Sequence, residues 1–386
     1  MTDTLRADVV VIGAGPAGAA AAVRLAERGA RVVLLDRARF PRDKVCGDGL
    51  LPDAFPPLAR LGVLAEVRGA AHAVRGIRFQ APSGVRGFAP VAGLVCRRAR
   101  LDVVLVARAR AAGARVVEKA ELEGFDGEDG RWRAALFSGP GAARRLRVEA
   151  PWFVLATGAS PRPRWLAGLR AAPRAGAAVR GYLPVPGLPS DELLVVFQRN
   201  HLPRGYYWAF PVGGGVFNVG CGVFSSRPGD PSLIDEAHRF AAELGAACEF
   251  ARVRGAPLQS SFPKVEAVRG NVLAVGDAAG LARPFSGEGI GPALESGLLA
   301  AEALTAAADD SVHLYVRTLK RRFGREFAAY RWGERLVGLP WLLDAVIRRV
   351  ARSASARARV KAVLAAQASP ASILSLRGVA RLLAGR

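Results

Sequence analysis

The chain is predicted to be α/β: a parallel sheet with crossover helices, a second, mixed or antiparallel sheet inserted into it, and a helical C-terminus. Three observations predict this. Residues 7–36, ADVVVIGAGPAGAAAAVRLAERGARVVLLD, read as strand, glycine turn, helix and second strand. Short apolar stretches at 152–156 and 271–275 each run into a glycine turn and would complete the same parallel sheet. Between them, the segments 180–185, 192–198, 206–211 and 216–224 are β-like and rich in aromatics, as a separate sheet requires.

Each part of the first unit has a physical cause. Val9–Ile12 is an apolar run suited to a strand buried on both faces. Gly13, Gly15 and Gly18 form a G-x-G-x-x-G turn. Gly13 permits the tight turn, Gly15 leaves room for a pyrophosphate to approach the backbone, and Gly18 lets the helix pack against the strand. The helix runs from Ala17 to about Arg28 and stops at Gly29, and the next strand ends on Asp36, placed to take ribose hydroxyls. This Rossmann-like unit indicates a dinucleotide and does not choose between FAD and NAD(P).

Residues 39–52, dense in Gly, Pro and charge, read as a loop with unusual backbone needs. A helix is expected over 54–67, then two strands of a different sheet over 74–80 and 85–91. Residues 95–102 open a helix that runs to Ala112 and closes at Gly113. The pieces 114–119, 121–126, 131–137 and 144–149 read as a strand and an antiparallel meander. After 271–275 the chain turns through Gly276–Gly280, a helix starts near Gly287, and the rest is helical and basic. Three domains are therefore expected: 1–70, 96–171 and 266–310 for the nucleotide domain, 71–95 and 172–265 for the substrate sheet, and 311–386 for the C-terminal helices.

Composition narrows the function. An apolar share of 51% in 386 residues allows a large core. Cys46, Cys96, Cys221 and Cys248 lack C-x-x-C spacing and only four His accompany them, so no metal and no disulfide framework is expected. The fingerprint begins too early for a secretory leader, and no apolar run reaches the about 18 residues of a spanning helix. A cytoplasmic chain is expected. The net charge of +22 comes mostly from arginine spread along the whole chain, a compositional bias that does not call for nucleic acid. The exception is 331–386, where eleven basic residues face only Glu334 and Asp344 and are interspersed with Trp341, Leu342, Leu343, Val346 and Ile347. A basic amphipathic helix of that kind can lie on an anionic membrane surface, a peripheral attachment.

Three separated motifs carry a resemblance. FPRDKVCGDGL, from Phe40 to Leu50, resembles the F-P-R-x-K-x-C-G-D/E-G-L loop of the geranylgeranyl reductase family of flavoproteins, within the group sharing the p-hydroxybenzoate hydroxylase fold. GYYWAFP, from Gly205 to Pro211, is similar to that family's G-Y-x-W-x-F-P segment, and GDAAGLARPFSGEGI, from Gly276 to Ile290, to its G-D-A-A-G-x-x-x-P-x-T/S-G-E-G-I segment. The resemblance covers about residues 5 to 310. It implies FAD, held at the ADP end by Gly13, Gly15, Gly18 and Asp36, with Arg98 along the cofactor. Gly276 would turn the chain, Asp277 would bond the ribityl chain, and Gly287 to Gly289 would present N–H groups to the flavin. A helix starting at that turn points its positive end where charge develops on flavin reduction. Two departures stand out. Ala156-Thr157-Gly158 lacks the family's Asp-Gly pair, which bears on NAD(P)H use, and Tyr207 stands where the family has Gly, which would reshape the pocket.

The resemblance implies reduction of isoprenoid C=C bonds in a lipid or quinone side chain. Tyr206, Trp208 and Phe210 on one strand could wall an apolar tunnel for such a chain, or could be core aromatics. An alkene without a neighbouring carbonyl needs a proton donor beside the hydride, and Cys46 and Asp48 on the FPRDKVCGDGL loop, with Tyr206 behind them, are the candidates. Lys44 could meet a diphosphate or lipid head group or be simply a surface cation, and His201 in Asn200-His-Leu-Pro could border the pocket, the four histidines (His72, His201, His238 and His313) otherwise reading as structural. The electron donor is NAD(P)H or an acidic, ferredoxin-like protein. Two competing readings stay open: a flavin monooxygenase or halogenase acting on an aromatic or secondary-metabolite substrate, and a non-catalytic flavin subunit.

Overall fold

The computed structural model describes residues 2–139, 145–170, 176–198, 201–224, 229–306 and 310–384. The expected domain boundary at 171/172, Asn200 and the last two residues of the C-terminal tract lie outside them.

The nucleotide-domain sheet has six strands in the order Val268–Arg269, Val272–Ala274, Trp152–Leu155, Val9–Ile12, Val32–Asp36, Arg115–Glu118. All neighbours are parallel except the first pair, a short hairpin. Val9–Ile12 and Val32–Asp36 are buried along their whole length, which explains their unbroken apolar sequence. Helix Pro16–Glu27 packs against helix Ile290–Thr305 so closely that a Cβ on Gly297 would fall 2.1 Å from the Ala17 carbonyl oxygen. The Ala-rich sequence of the first helix permits that approach.

The meander forms a second sheet, Arg145–Glu149, Arg131–Ser138 and Glu121–Glu128, joined in parallel by Thr2–Arg6, a short polar strand with no apolar alternation to announce it. The expected helix at 54–67 is broken into Pro52–Ala54, Phe55–Arg60 and Leu64–Ala70. Gly62 takes φ +74° and donates to the Ala59 carbonyl, so the helix is capped there. The last helix of the nucleotide domain begins at Ile290, three residues later than its glycine turn suggested, because Gly287 is left-handed at φ +68°.

The third sheet has eight strands in the order Arg254–Leu258, Gly176–Pro184, Val216–Val223, Gly205–Gly213, Glu192–Val196, His72–Gln80, Arg86–Val95, Gly49–Leu50. Its one parallel contact joins Glu192–Val196 to His72–Gln80, stitching two separate excursions of the chain together. Its far edge, Gly49–Leu50, comes from the FPRDKVCGDGL loop itself, so that loop links the two large sheets.

The C-terminal helices do not lie free. Helix Ser311–Val337 buries Tyr315, Leu319, Phe323 and Phe327, spaced four apart, in the nucleotide-domain core, and the Tyr315 hydroxyl donates to the Ala274 carbonyl at 2.6 Å. Helices Pro340–Arg352 and Ala354–Leu364 cover strand Arg86–Val95. Leu342, Ile347 and Val350 are buried there rather than offered to lipid. The amphipathic stretch 341–347 turns Leu342 and Ile347 inward, Ile347 against the third sheet, and leaves Trp341 exposed. No helix among the described residues is long and apolar enough to cross a membrane.

Candidate active site

A cavity of about 960 Å³ runs between the nucleotide domain and the third sheet. At one end stands the first glycine turn. Gly13 has φ +103°, and a Cβ there would lie 2.4 Å from the Ala156 carbonyl oxygen. A Cβ on Gly15 would meet nothing nearer than 3.6 Å, the guanidinium nitrogens of Arg42 and Arg98, so this backbone faces open space flanked by two cations. Gly18 does not line the cavity; its missing side chain lets the helix sit on the turn, where a Cβ would fall 1.8 Å from the Gly13 carbonyl oxygen. Asp36 accepts from the backbone N–H groups of Ala14 at 2.8 Å and Ala38 at 2.9 Å, which ties the turn to the end of the second strand.

Arg98 is buried and paired in a fork with Asp102, both contacts at 2.9 Å, and Arg42 reaches the same carboxylate at 3.0 Å. Lys44 is half-buried and faces the cavity rather than solvent. Burial depresses its pKa, Arg98 adding to the effect and the carboxylate of Asp277 opposing it. Asp277 follows Gly276 after the last parallel strand and also faces the cavity. Burial raises its pKa against the pull of Lys44 and Arg98, and no hydrogen bond reaches its carboxylate among the described residues.

The second glycine turn closes this part. Arg283 N donates to the Glu288 carbonyl at 2.8 Å, Gly287 N to the Arg283 carbonyl at 3.0 Å, and Tyr206 donates its hydroxyl to the Ser286 carbonyl at 2.5 Å. The turn is anchored from outside by the buried Arg283 guanidinium, which meets Asp53 at 2.7 Å, Glu326 at 2.6 Å and Glu288 at 2.5 Å. Helix Ile290–Thr305 starts at Gly289 with no side-chain cap, so its first N–H groups are free to face an electron-rich group.

The FPRDKVCGDGL loop forms the wall opposite. Asp48 is fully buried at φ +64°; Oδ1 accepts from Arg98 N at 3.2 Å, and Oδ2 accepts from the Tyr182 hydroxyl at 2.5 Å and Asn218 Nδ2 at 2.8 Å. Asn218 also donates to the Cys46 carbonyl at 2.7 Å and accepts from Trp208 Nε1 at 2.9 Å. Burial, with the charge of Asp48, pushes the Cys46 thiol up, so it keeps its proton at neutral pH.

Cys46, Tyr206, Trp208 and Phe210 line the same cavity as Gly13, Gly15, Asp36, Arg98, Gly276, Asp277, Gly287 and Gly289. Tyr206, Trp208 and Phe210 share one face of their strand, with centroids 6.0 and 6.4 Å apart in succession. Tyr207 does not reshape the pocket as expected. It points from the other face into a separate core, packs on Phe240 at 4.9 Å and donates its hydroxyl to Glu236. His201 stands on that far side too, 4.0 Å from Glu236, and does not border the cavity. Sequence reasoning missed Tyr182, Asn218, Arg42 and the Asp53–Arg283–Glu326 anchor. Asn218 carried a signal, a polar residue at the centre of an otherwise apolar strand, VFNVGCGV.

Beyond the aromatics much of the cavity wall is aliphatic or aromatic, including Ile77, Phe79, Val195 and Phe197 of the third sheet and Leu343 and Ile347 of the C-terminal helices, with Tyr330 beside them. Two polar features fit FAD at the other end: the open Gly15 backbone between two guanidinium groups, and the buried hydroxyls of Thr157 and Ser286, which find no partner among the described residues.

The FAD binding domain family matches residues 6–185. A menaquinone reductase of Mycobacterium tuberculosis is 36% identical over 352 residues, covering 84% of this chain and 82% of that protein. A digeranylgeranylglycerophospholipid reductase of Methanothrix thermoacetophila is 29% identical, covering 84% and 86%. Among solved structures, a geranylgeranyl bacteriochlorophyll reductase-like protein from Thermoplasma acidophilum superposes with a TM-score of 0.82 at 23% identity, over 97% of this chain and all of that one.

Proposed function

From a chain that belongs to the geranylgeranyl reductase family of FAD-dependent oxidoreductases, we propose an enzyme that saturates C=C bonds in the isoprenoid chain of a membrane lipid or quinone. One observation carries the reading: the cavity that holds the FAD-fitting glycine turns is continuous with a chamber walled mainly by aliphatic and aromatic side chains of the third sheet and the C-terminal helices, among them Ile77, Phe79, Val195, Phe197, Leu343 and Ile347. Such a wall suits a long hydrocarbon better than a polar aromatic substrate, which needs several convergent polar groups to orient it. The relatives' names point the same way, since menaquinone and digeranylgeranylglycerophospholipid both carry polyisoprenoid chains.

Bound FAD would supply the hydride. Gly13, Gly15 and Asp36 would hold its ADP end, Arg42 and Arg98 would balance the pyrophosphate charge, and Asp277 would take the ribityl hydroxyls. The N-terminus of helix Ile290–Thr305 would favour the charge of the reduced ring. Tyr206, Trp208 and Phe210 would lay the alkene beside that ring and exclude water.

Among the candidate proton donors, Cys46 is favoured by a thiol that stays protonated and faces the cavity. Asp48 lines the cavity too, and burial raises its pKa, but its carboxylate already accepts three hydrogen bonds, from Arg98 N, Tyr182 and Asn218, which suits a brace for the loop. The donor of electrons is NAD(P)H or an acidic, ferredoxin-like protein, and anaerobic bleaching of the flavin by each separates them. The substrate reading is tested by anaerobic incubation of the reduced protein with polyprenyl lipids and quinones, followed by mass spectrometry. Products heavier by two hydrogens support it; turnover that requires O2 sinks it.

A further inference from the structure

Seven large apolar side chains are exposed among the described residues, and four of them lie in the C-terminal region: Trp332, Trp341 and Leu376 on its helices and Leu339 at the joint between two of them. Three of them lie within two positions of a residue that lines the cavity. Trp332 precedes Gly333, Trp341 precedes Leu342, and Leu376 follows two residues after Leu374. Leu374 itself packs on Gly333, closing helix Ser311–Val337 against Ala371–Leu374. Contacts of helix Ser311–Val337 with Ala371–Leu374 and with Pro340–Arg352 gather the exposed side chains, Leu339 at the joint of two of these helices, on the part of the surface behind the chamber's C-terminal lining. Arg335, Arg377 and Arg381 stand exposed among them, the Arg335 guanidinium 5.1 Å from the Trp332 ring centroid, with Glu334 a nearby acid.

Tryptophan and leucine left in water beside arginines are costly unless something covers them. A second copy of a chain with net charge +22 would set arginine against arginine. An anionic bilayer meets both needs, since indole rings settle at the head-group level and arginines pair with lipid phosphates.

We propose that Trp332, Leu339, Trp341 and Leu376 form a docking rim that enters the interface of an anionic membrane, so that a lipid passes from bilayer to chamber without crossing water. The purpose assigned to the rim rests on the isoprenoid reading; the docking itself does not. The test uses the full-length, FAD-loaded protein with vesicles of phosphatidylcholine alone or mixed with phosphatidylglycerol, read by co-sedimentation and by quenching of tryptophan fluorescence with brominated lipid.

Binding is expected on the mixed vesicles, with quenching. Trp341→Glu and Leu376→Glu each weaken it about tenfold, at unchanged FAD content and melting temperature. Trp165→Glu, at the most exposed tryptophan elsewhere, leaves it intact. Equal binding by Trp341→Glu and the parent overturns the rim, as does lipid-free dimerisation that Trp341→Glu abolishes. Saturation of detergent-dispersed lipid reports separately on the chemistry: if it occurs while the rim variants bind vesicles normally, only the rim fails, and if vesicles bind but no isoprenoid is reduced, only the substrate reading fails.

Discussion

A methyl group added at Gly15 would sit 3.6 Å from the Arg42 and Arg98 guanidinium groups, an ordinary contact, whereas one at Gly18 would be driven into the Gly13 carbonyl at 1.8 Å. Gly15→Ala is therefore expected to fold with an unchanged melting temperature and to be isolated colourless, because the methyl occupies the space a pyrophosphate needs. Gly18→Ala is expected to lose about 3 kcal/mol of stability from overpacking, seen as a lowered urea midpoint even without FAD. A second residue-scale prediction concerns Cys46. Because burial raises its pKa, the thiolate is scarce at neutral pH and becomes abundant only above the ordinary thiol range of about 8.5. Iodoacetamide at pH 7.5 should label the exposed Cys248 first and Cys46 slowly, the Cys46 rate climbing only in alkali, as peptide mass spectrometry can follow. Fast labelling of Cys46 at neutral pH would contradict a protonated, buried thiol. The glycines, Arg98 and Asp277 were legible in sequence because each serves a local turn or a fixed-spacing motif. Tyr182 was not, since its role depends on a buried Asp48 that lies 134 residues away.

At the scale of elements, strand Gly205–Gly213 separates two kinds of tyrosine by one residue. Tyr206 faces the cavity and Tyr207 the core around Phe240. Tyr207→Phe takes a donor from Glu236, leaving that carboxylate to Arg239, and should cost about 1–3 kcal/mol without altering FAD affinity or the KM for lipid. Tyr206→Phe releases the Ser286 carbonyl beside the second glycine turn, and its effect should appear in FAD affinity and KM instead. A melting curve and a flavin titration on the two variants decide it. The motif names both residues without telling them apart, and the strand's alternation does. The C-terminal helices teach the complementary lesson. Periodicity revealed one apolar side at Leu342 and Ile347, but a pattern cannot say whether lipid or a neighbouring sheet will cover it.

For the whole molecule, the C-terminal helices are wall as well as surface. Truncation after Gly338 removes Ile347 and Val350 from contact with the third sheet and Leu342 from the cavity wall, at about 1.5–3 kcal/mol for each buried side chain. The truncated chain should melt earlier and bind a dye for exposed apolar surface, such as ANS, so its loss from vesicles would not isolate membrane binding; single changes at the rim do.

The parallel pairing of His72–Gln80 with Glu192–Val196 bears on how a cell makes the protein. Its partner residues Gly76 and Glu192 are 116 positions apart, from 192 − 76, and helices Pro340–Arg352 and Ala354–Leu364 arrive later still. A nascent chain thus carries half an oily box, unroofed, until helices Pro340–Arg352 and Ala354–Leu364 have been made. Before that point the uncovered face is open to mispairing with other chains, as exposed strands of large proteins are during synthesis.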